Sequence, residues 1–219
     1  VSSHTISIRA RPVPEICRKI TTSALIWLVL LLSACATRPP VPDIDTNARW
    51  RLRQQQLNQI TDWQLAGRIS VQLASEGWSA SLYWQQDNED YKLRIVAPLG
   101  RGTVEISGNA DTVRLRTVDN QILEDKDVAL LMQQNLGWEI PVAALIYWIR
   151  GLPEPGTADS AINLDPLGQL AGISQAGWNV SYEKYTRVGT LDLPARMTVQ
   201  REQLKLRLSI NKWTLPDES

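Results

Sequence analysis

Between Trp63 and Leu73 the chain alternates. Trp63, Leu65, Gly67, Ile69, Val71 and Leu73 fall on one side, and Gln64, Arg68, Ser70 and Gln72 on the other. Successive side chains of a strand point to opposite faces, so this pattern predicts a strand with one face buried and one wet. The same alternation recurs over Trp78 to Gln85, Tyr91 to Val96, Thr103 to Ser107, Val113 to Val118, Trp178 to Tyr185, Arg196 to Gln200 and Gln203 to Trp213. Turn residues stand between the runs, as in Ser75-Glu76-Gly77, Asp87-Asn88-Glu89-Asp90, Gly108-Asn109-Ala110-Asp111, Asp119-Asn120 and Ala176-Gly177. Short alternating runs joined by such turns predict one antiparallel, hairpin-linked sheet.

Three segments break this rhythm. Ala48 to Ile60 carries Trp50, Leu57 and Ile60 at helical spacing among arginines and glutamines, which predicts a helix lying on the body. Later, Asp125 or Asp127 can cap a helix over Val128 to Leu136, and Pro141 can open a second over Val142 to Arg150 that Gly151-Leu152-Pro153 ends. Val128, Leu131, Met132 and Leu136 share a face of the first, while Leu145, Ile146, Trp148 and Ile149 crowd the second. The pair is therefore expected across the concave side of a curved sheet. Glu154 to Gln169 reads as a loop.

The N-terminal part has a different composition. Arg9, Arg11, Arg18 and Lys19 precede an apolar run from Ala24 to Leu32, then Leu32-Ser33-Ala34-Cys35. This is the pattern of a secretion leader over residues 1–34, and the run is far shorter than the roughly 20 residues that cross a bilayer as a helix. Leu-Ser-Ala-Cys resembles the bacterial lipobox, whose cysteine takes a diacylglycerol and an N-acyl chain, so Cys35 is the expected lipid attachment point and first mature residue. The stretch Val1 to Glu15 is longer than such leaders need, and initiation further in is expected. Residues 35–47, with three prolines among residues 36 to 47, read as a tether, and 48–219 as one folded domain.

Processing decides which chemistries remain. The leader takes four basic residues and one acidic residue from the 23 of each, leaving a mature charge near −3 and no argument for a nucleic-acid partner. It also takes His4 and Cys17, so neither a Ser-His nor a Cys-His pair, an ordinary zinc site nor an internal disulfide can be assembled. No glycine-rich phosphate loop is present, and Asp125 with Asp127, or Glu89 with Asp90, sit where caps and turns are expected. An enzyme is not expected, nor any metal or cofactor beyond the acyl groups on Cys35.

Two features remain. Of nine tryptophans only Trp27 falls in the leader, and the chain has five tyrosines and no phenylalanine; such rings suit boundaries between apolar and wet surroundings and hint at a roomy interior. Ala97-Pro98-Leu99-Gly100-Arg101-Gly102 joins two strands and puts a leucine at the tip of a tight turn, where it can touch lipid. Burying one leucine is worth about 1.5 to 3 kcal/mol, enough for a transient touch.

Lipobox Cys35, Trp63-Gln64-Leu65-Ala66-Gly67-Arg68-Ile69, Tyr83-Trp84-Gln85-Gln86, Tyr91 through Pro98-Leu99-Gly100, and Tyr147-Trp148-Ile149-Arg150-Gly151-Leu152-Pro153 together resemble the outer-membrane lipoprotein receptor family LolB. The resemblance runs from the leader to the strand around Trp213. It implies a mainly β fold similar to that of the periplasmic carrier LolA: an incomplete antiparallel β-barrel with a helical lid over an apolar cavity for acyl chains. It further implies a lipid-anchored monomer on the periplasmic side of the outer membrane, which takes client lipoproteins from LolA and places them in the inner leaflet without ATP. Pro98, Leu99 and Gly100 match the family's protruding loop, whose leucine is implicated in insertion. Ala36, in place of an aspartate after the cysteine, implies sorting to the outer membrane. Leu82, Leu93, Ile95, Leu131, Leu145 and Trp148 are the expected lining of the cavity.

Such a role is physically intelligible. Each buried methylene is worth about 0.8 kcal/mol, so an acylated client does not leave a membrane unaided and must pass between cavities. Two other readings fit the same residues, a structural envelope lipoprotein with a filled core and a generic binder of apolar ligands, because a core and a pocket use the same side chains.

Overall fold

The computed structural model describes residues 45–109, 111–126, 128–137, 139–157 and 160–216. Leader, Cys35, the tether up to residue 44, Asp127 and Trp138 lie outside them.

The strands are β1 (Trp63–Leu73), β2 (Glu76–Asp87), β3 (Asp90–Val96), β4 (Thr103–Gly108), β5 (Val113–Arg116), β6 (Ile122–Asp125), β7 (Ala161–Leu164), β8 (Leu170–Gln175), β9 (Trp178–Val188), β10 (Leu191–Arg201) and β11 (Leu204–Thr214). They form a single antiparallel sheet in the order β6-β5-β4-β3-β2-β1-β11-β10-β9-β8-β7. Every neighbouring pair is consecutive in sequence except β1 with β11, which joins the chain's two halves. The sheet is curved and unclosed. Its edges, β6 and β7, are themselves successive strands, and the segment between them holds the helices α2 (Val128–Leu136) and α3 (Val142–Trp148). The chain therefore leaves the sheet at one edge, builds the lid, and re-enters at the other.

Alternation places the core as expected. Leu65, Ile69 and Val71 of β1, Leu82 and Trp84 of β2, Leu93 and Ile95 of β3, and Leu206, Leu208 and Ile210 of β11 are all buried on the inner face. The β1–β11 register shifts between Ala66 and Gly67, whose partners are Lys212 and Ile210, so the extra residue, Asn211, bulges from β11. A Cβ on Gly67 would stand 2.2 Å from the Ser209 carbonyl oxygen, so only glycine permits that approach between the central strands.

Helix α1 (Thr46–Asn58) begins ahead of the expected Ala48, because the Asp45 carboxylate accepts from the Asn47 N–H and caps it. Thr46 and Asn47 therefore belong to the helix, with Asp45 as its cap, rather than to the tether. Its Trp50 and Leu57 are buried. Gly168 in the β7–β8 turn lies against Arg49 and Trp50. The Arg53 guanidinium donates to the Asp192 carbonyl and lies over the Tyr185 ring. Among the described residues the buried core runs from Trp50 to Trp213, and the unit from Ile44 onward is compact by itself.

The structure also adds three strands that the sequence pattern does not predict: β6, β7 inside the stretch expected as a loop, and β8 ahead of Trp178. β6 and β7 are edge strands of four residues each, too short for alternation to stand out.

Candidate functional site

The β3–β4 connection is a single tight turn, Pro98–Gly100. The Ala97 N–H donates to the Gly102 carbonyl at 3.0 Å and the Arg101 N–H to the Pro98 carbonyl at 3.4 Å, closing the loop on itself. Leu99 at its tip has φ 58° and ψ 30°, the left-handed region. That conformation costs a non-glycine residue about 1–2 kcal/mol. Its side chain is 91% exposed, the highest value among the large apolar residues described. At the loop's base Gly102 takes φ 128° and packs on Val118 of the β5–β6 turn, where a Cβ would stand 2.7 Å from Val118 Cγ1. The turn thus fixes an apolar group in water at two separate costs, strain and exposure.

The inner face is covered from both sides of the seam. Helix α2 packs on β5 and β6, with Leu131 and Met132 buried. Helix α3 buries Val142, Ala144, Leu145 and Trp148. It stops in a Schellman arrangement, with Gly151 at φ 82°, the Gly151 N–H donating to Trp148 O and the Leu152 N–H to Tyr147 O. Leu82, Leu93, Ile95, Leu131, Leu145 and Trp148 come together in this one core, and the most exposed of the six, Leu131, reaches only 6%. They are packed against other side chains, so an acyl chain lying between them would have to displace those neighbours.

One buried amide ties lid to sheet. Gln175 at the end of β8 is 1% exposed. Its Oε1 accepts from Trp148 Nε1 at 2.8 Å and from the Glu154 N–H at 3.0 Å. Its Nε2 donates to Glu154 O and to Ser160 Oγ, both at 2.8 Å. On β9 the Tyr182 hydroxyl donates to Trp148 O at 2.8 Å, and the Trp178 ring lies 6.4 Å from that of Trp148. Burial raises the Tyr182 hydroxyl's pKa well above its ordinary value.

A second tie runs from lid to α1. Arg150 is 7% exposed and donates to the carbonyls of Ile146, Leu57 and Ile60, so it satisfies the end of α1 from beyond the end of α3. Its guanidinium also lies 5.4 Å from the Tyr147 ring centroid. Desolvation lowers its pKa. Sequence reasoning gave neither Gln175 nor Arg150 a role. Gln175 occupies an inward position of an unanticipated strand, and Arg150 was legible only as one residue of a motif.

A groove of about 390 Å³ crosses the outer face of the sheet, with Gln64, Tyr83, Gln85, Lys92, Arg94 and Lys212 on its walls. No helix among the described residues is long and apolar enough to cross a membrane. Cys35 lies outside the described residues.

The family model described as outer membrane lipoprotein LolB matches residues 61–213. The chain belongs to the LolB family. The outer-membrane lipoprotein LolB of Nitrosococcus oceani is 36% identical over 191 residues, covering 87% of this chain and 95% of the relative. That of Alkalilimnicola ehrlichii is 37% identical over 186 residues, covering 85% and 92%. Among solved structures, a LolA superfamily protein from Nitrosomonas europaea aligns at TM-score 0.53 with 10% sequence identity, covering 80% of this chain and 96% of that one. At that identity the likeness speaks for the fold alone, and it agrees with the LolA-like half-barrel expected from the sequence. A LolB-family protein is an outer-membrane lipoprotein of Gram-negative bacteria and a receptor in lipoprotein localisation, which agrees with the expected location and role. Within the LolB matched segment fall the Leu99 turn, both lid helices and Gln175.

Proposed function

We propose that this protein, anchored through acylated Cys35, takes lipoproteins from the periplasmic carrier LolA, shelters their acyl chains between sheet and lid, and releases them into the inner leaflet of the outer membrane. No ATP is used at this step. The anchor would be a diacylglycerol and an N-acyl chain on Cys35, and the working unit a monomer. The observation that carries the reading is Leu99, a leucine held 91% exposed at φ 58° by a loop closed on itself. A turn with no apolar surface to meet gains nothing from that arrangement; a turn that touches acyl chains recovers about 1.5–3 kcal/mol on contact.

The path for the chains is the apolar interior lined by Leu82, Leu93, Ile95, Leu131, Leu145 and Trp148. Entry requires α3 to lift from β8 and β9, because those side chains are packed when the lid is down. Direction comes from a gradient of apolar contact, in which the bilayer holds the chains more favourably than this interior and this interior more favourably than the carrier. The packed interior also favours a second reading, a structural envelope lipoprotein with a filled core.

A transfer assay separates the two. Carrier loaded with an acylated client is mixed with the leaderless protein beginning at residue 36 and with outer-membrane vesicles, in parallel with a Leu99→Glu variant. The receptor reading expects the unaltered protein to take and deliver the client, and the variant to take it and stall. If neither takes the client, the filled-core reading replaces it.

A further inference from the structure

The mature chain is slightly acidic as a whole, yet the outer face of its sheet is not. Cross-strand register gives that face in rows. One runs Arg196, Ser209, Arg68, Ser81, Val96, Thr103 across β10, β11, β1, β2, β3 and β4. A second runs Lys212, Ala66, Tyr83, Arg94, Glu105, Arg116, Ile122 from β11 to β6. A third has Arg207 of β11 beside Ser70 and Ser79. Arg68, Arg94, Arg116, Arg196, Arg207 and Lys212 are exposed, and no carboxylate among the described residues lies within 4 Å of any of them. Of the acids on this face, Glu105 and Glu124 are paired, with Lys92 at 3.2 Å and Arg114 at 2.7 Å, and Glu183 at the β9 margin accepts from the Thr198 hydroxyl at 2.7 Å.

What lies between the cations matters as much. Ser70, Ser79, Ser81, Ser209 and Thr103 are short hydroxyl side chains, and Tyr83 is the single aromatic residue in these rows. Protein partners dock on clusters of aromatic and arginine anchors, and the aromatic share of these rows is Tyr83, whose ring the Arg94 guanidinium already covers at 4.9 Å. A flat array of guanidinium and hydroxyl donors matches phosphodiester oxygens. The face is also continuous with the Leu99 corner. Val118, 58% exposed, packs on Gly102 at the base of the Leu99 loop, and Ile122, 52% exposed, projects outward beside Arg116.

We infer that the outer face of the sheet, from Arg196 across to Arg116, is a docking surface for the headgroups of anionic phospholipids, with Leu99, Val118 and Ile122 as its apolar rim. The half-barrel then approaches the membrane tilted onto its outer face, rather than standing on the Leu99 tip alone. The proposal rests on the receptor reading and names the lipid chemistry and the orientation that the release step uses. Phosphate contacts supply the lateral hold, and the rim supplies the entry point. Coulombic hold of this kind is screened by salt, whereas the apolar rim is not.

The test uses the leaderless protein from residue 36, whose core is complete, so that the lipid anchor does not mask the effect. Flotation is measured with vesicles of phosphatidylethanolamine alone and of phosphatidylethanolamine mixed with phosphatidylglycerol. The unaltered protein is expected to favour the mixed vesicles and to lose that preference in high salt. Each cation near an anionic surface is worth roughly fivefold in partition, so a variant combining Arg68→Gln, Arg94→Gln, Arg196→Gln and Arg207→Gln should lose more than about tenfold on mixed vesicles and almost nothing on neutral ones. Leu99→Glu should lower binding to both. Equal partition of the unaltered protein between the two vesicles, or normal flotation by a folded quadruple variant, overturns the proposal. A quadruple variant that floats normally but no longer accepts client from the carrier marks the face as a protein dock instead and also overturns it. Client acceptance in solution without vesicles is scored in parallel: its failure in the unaltered protein strikes the receptor reading, while normal acceptance without lipid preference strikes only this surface.

Discussion

The Trp148 indole N–H donates to the Gln175 side-chain oxygen across 2.8 Å, joining the last turn of the second lid helix to the end of β8. The same amide binds the backbone of Glu154 in both directions and the Ser160 hydroxyl, so its donors and acceptor are fully used by the lid and the segment that follows it. It is one side chain on which the closed position of α3 converges.

Gln175→Leu keeps the volume and removes four hydrogen bonds. The Trp148 N–H and the Glu154 N–H and carbonyl are left without their partner, at about 1–3 kcal/mol for each buried group that water does not reach. Chemical denaturation should show a loss of about 2–4 kcal/mol. Hydrogen exchange should show faster opening over 142–154 than over β1 or β11. Uniform loss of protection across the body would mean that Gln175 is a general core residue and not a lid tie.

Arg150→Met should loosen α1 from the lid. The carbonyls of Leu57 and Ile60 lose a charged donor, with an expected cost of about 2–4 kcal/mol in urea denaturation. Arg150→Lys should recover little, because an ammonium does not reproduce the planar fork that reaches carbonyls on two elements. Full recovery with lysine would show that charge alone matters at this position.

Leu99→Gly separates stability from function. Glycine adopts φ 58° without the Cβ clash, so the variant should be between equally stable and about 1 kcal/mol more stable, its relief from strain offset in part by greater unfolded-state entropy. Client delivery to vesicles should fall nonetheless, since the apolar tip is gone. Thermal denaturation and the transfer assay, run on the same preparation, check both halves. A variant that delivers normally would remove Leu99 from the release step.

The buried tyrosines predict alkaline lability. Burial pushes the Tyr91 hydroxyl up to about 12, and it raises Tyr182 and Tyr185 as well. The folded state keeps these protons more tightly than the unfolded chain, whose tyrosines titrate near 10. Their contribution is therefore fully present below pH 10 and is lost as pH rises from about 10 through 12. Tyrosinate absorbance followed against pH should lag behind that of free tyrosine and then rise together with loss of β-sheet circular dichroism. Titration with the sheet intact throughout would contradict the assigned burial.

Much of the fold was legible in the residues because period-two alternation is a local property. The long strands β1, β2, β9 and β11 have eleven or twelve residues and alternate over much of that length, and a slip by one residue would turn every inward leucine to water. α3 was legible too, since Pro141 and Gly151-Leu152-Pro153 are start and stop signals with their own chemistry. β6 and β7 were not, because four residues at a sheet edge hold too little alternation. Of the site, Leu99 stood out because a leucine between proline and glycine is locally anomalous. Gln175 and Arg150 did not, because a glutamine and an arginine acquire meaning only from partners at 27 and about 90 residues' separation.

The sequence by itself therefore determined the strand faces, the lid helices, the exposed turn and the family, all of which depend on neighbours within a few positions or on matched motifs. The tertiary structure decided what no local pattern holds: that β1 pairs with β11 and leaves β6 and β7 as the seam, and that the lid is tied down by a buried amide on one side and a buried guanidinium on the other. It also decided that unpaired cations from strands far apart in sequence share one outer face. The reason is that hydrogen bonds and fields depend on distance in space, and folding brings together groups that the order of residues keeps apart.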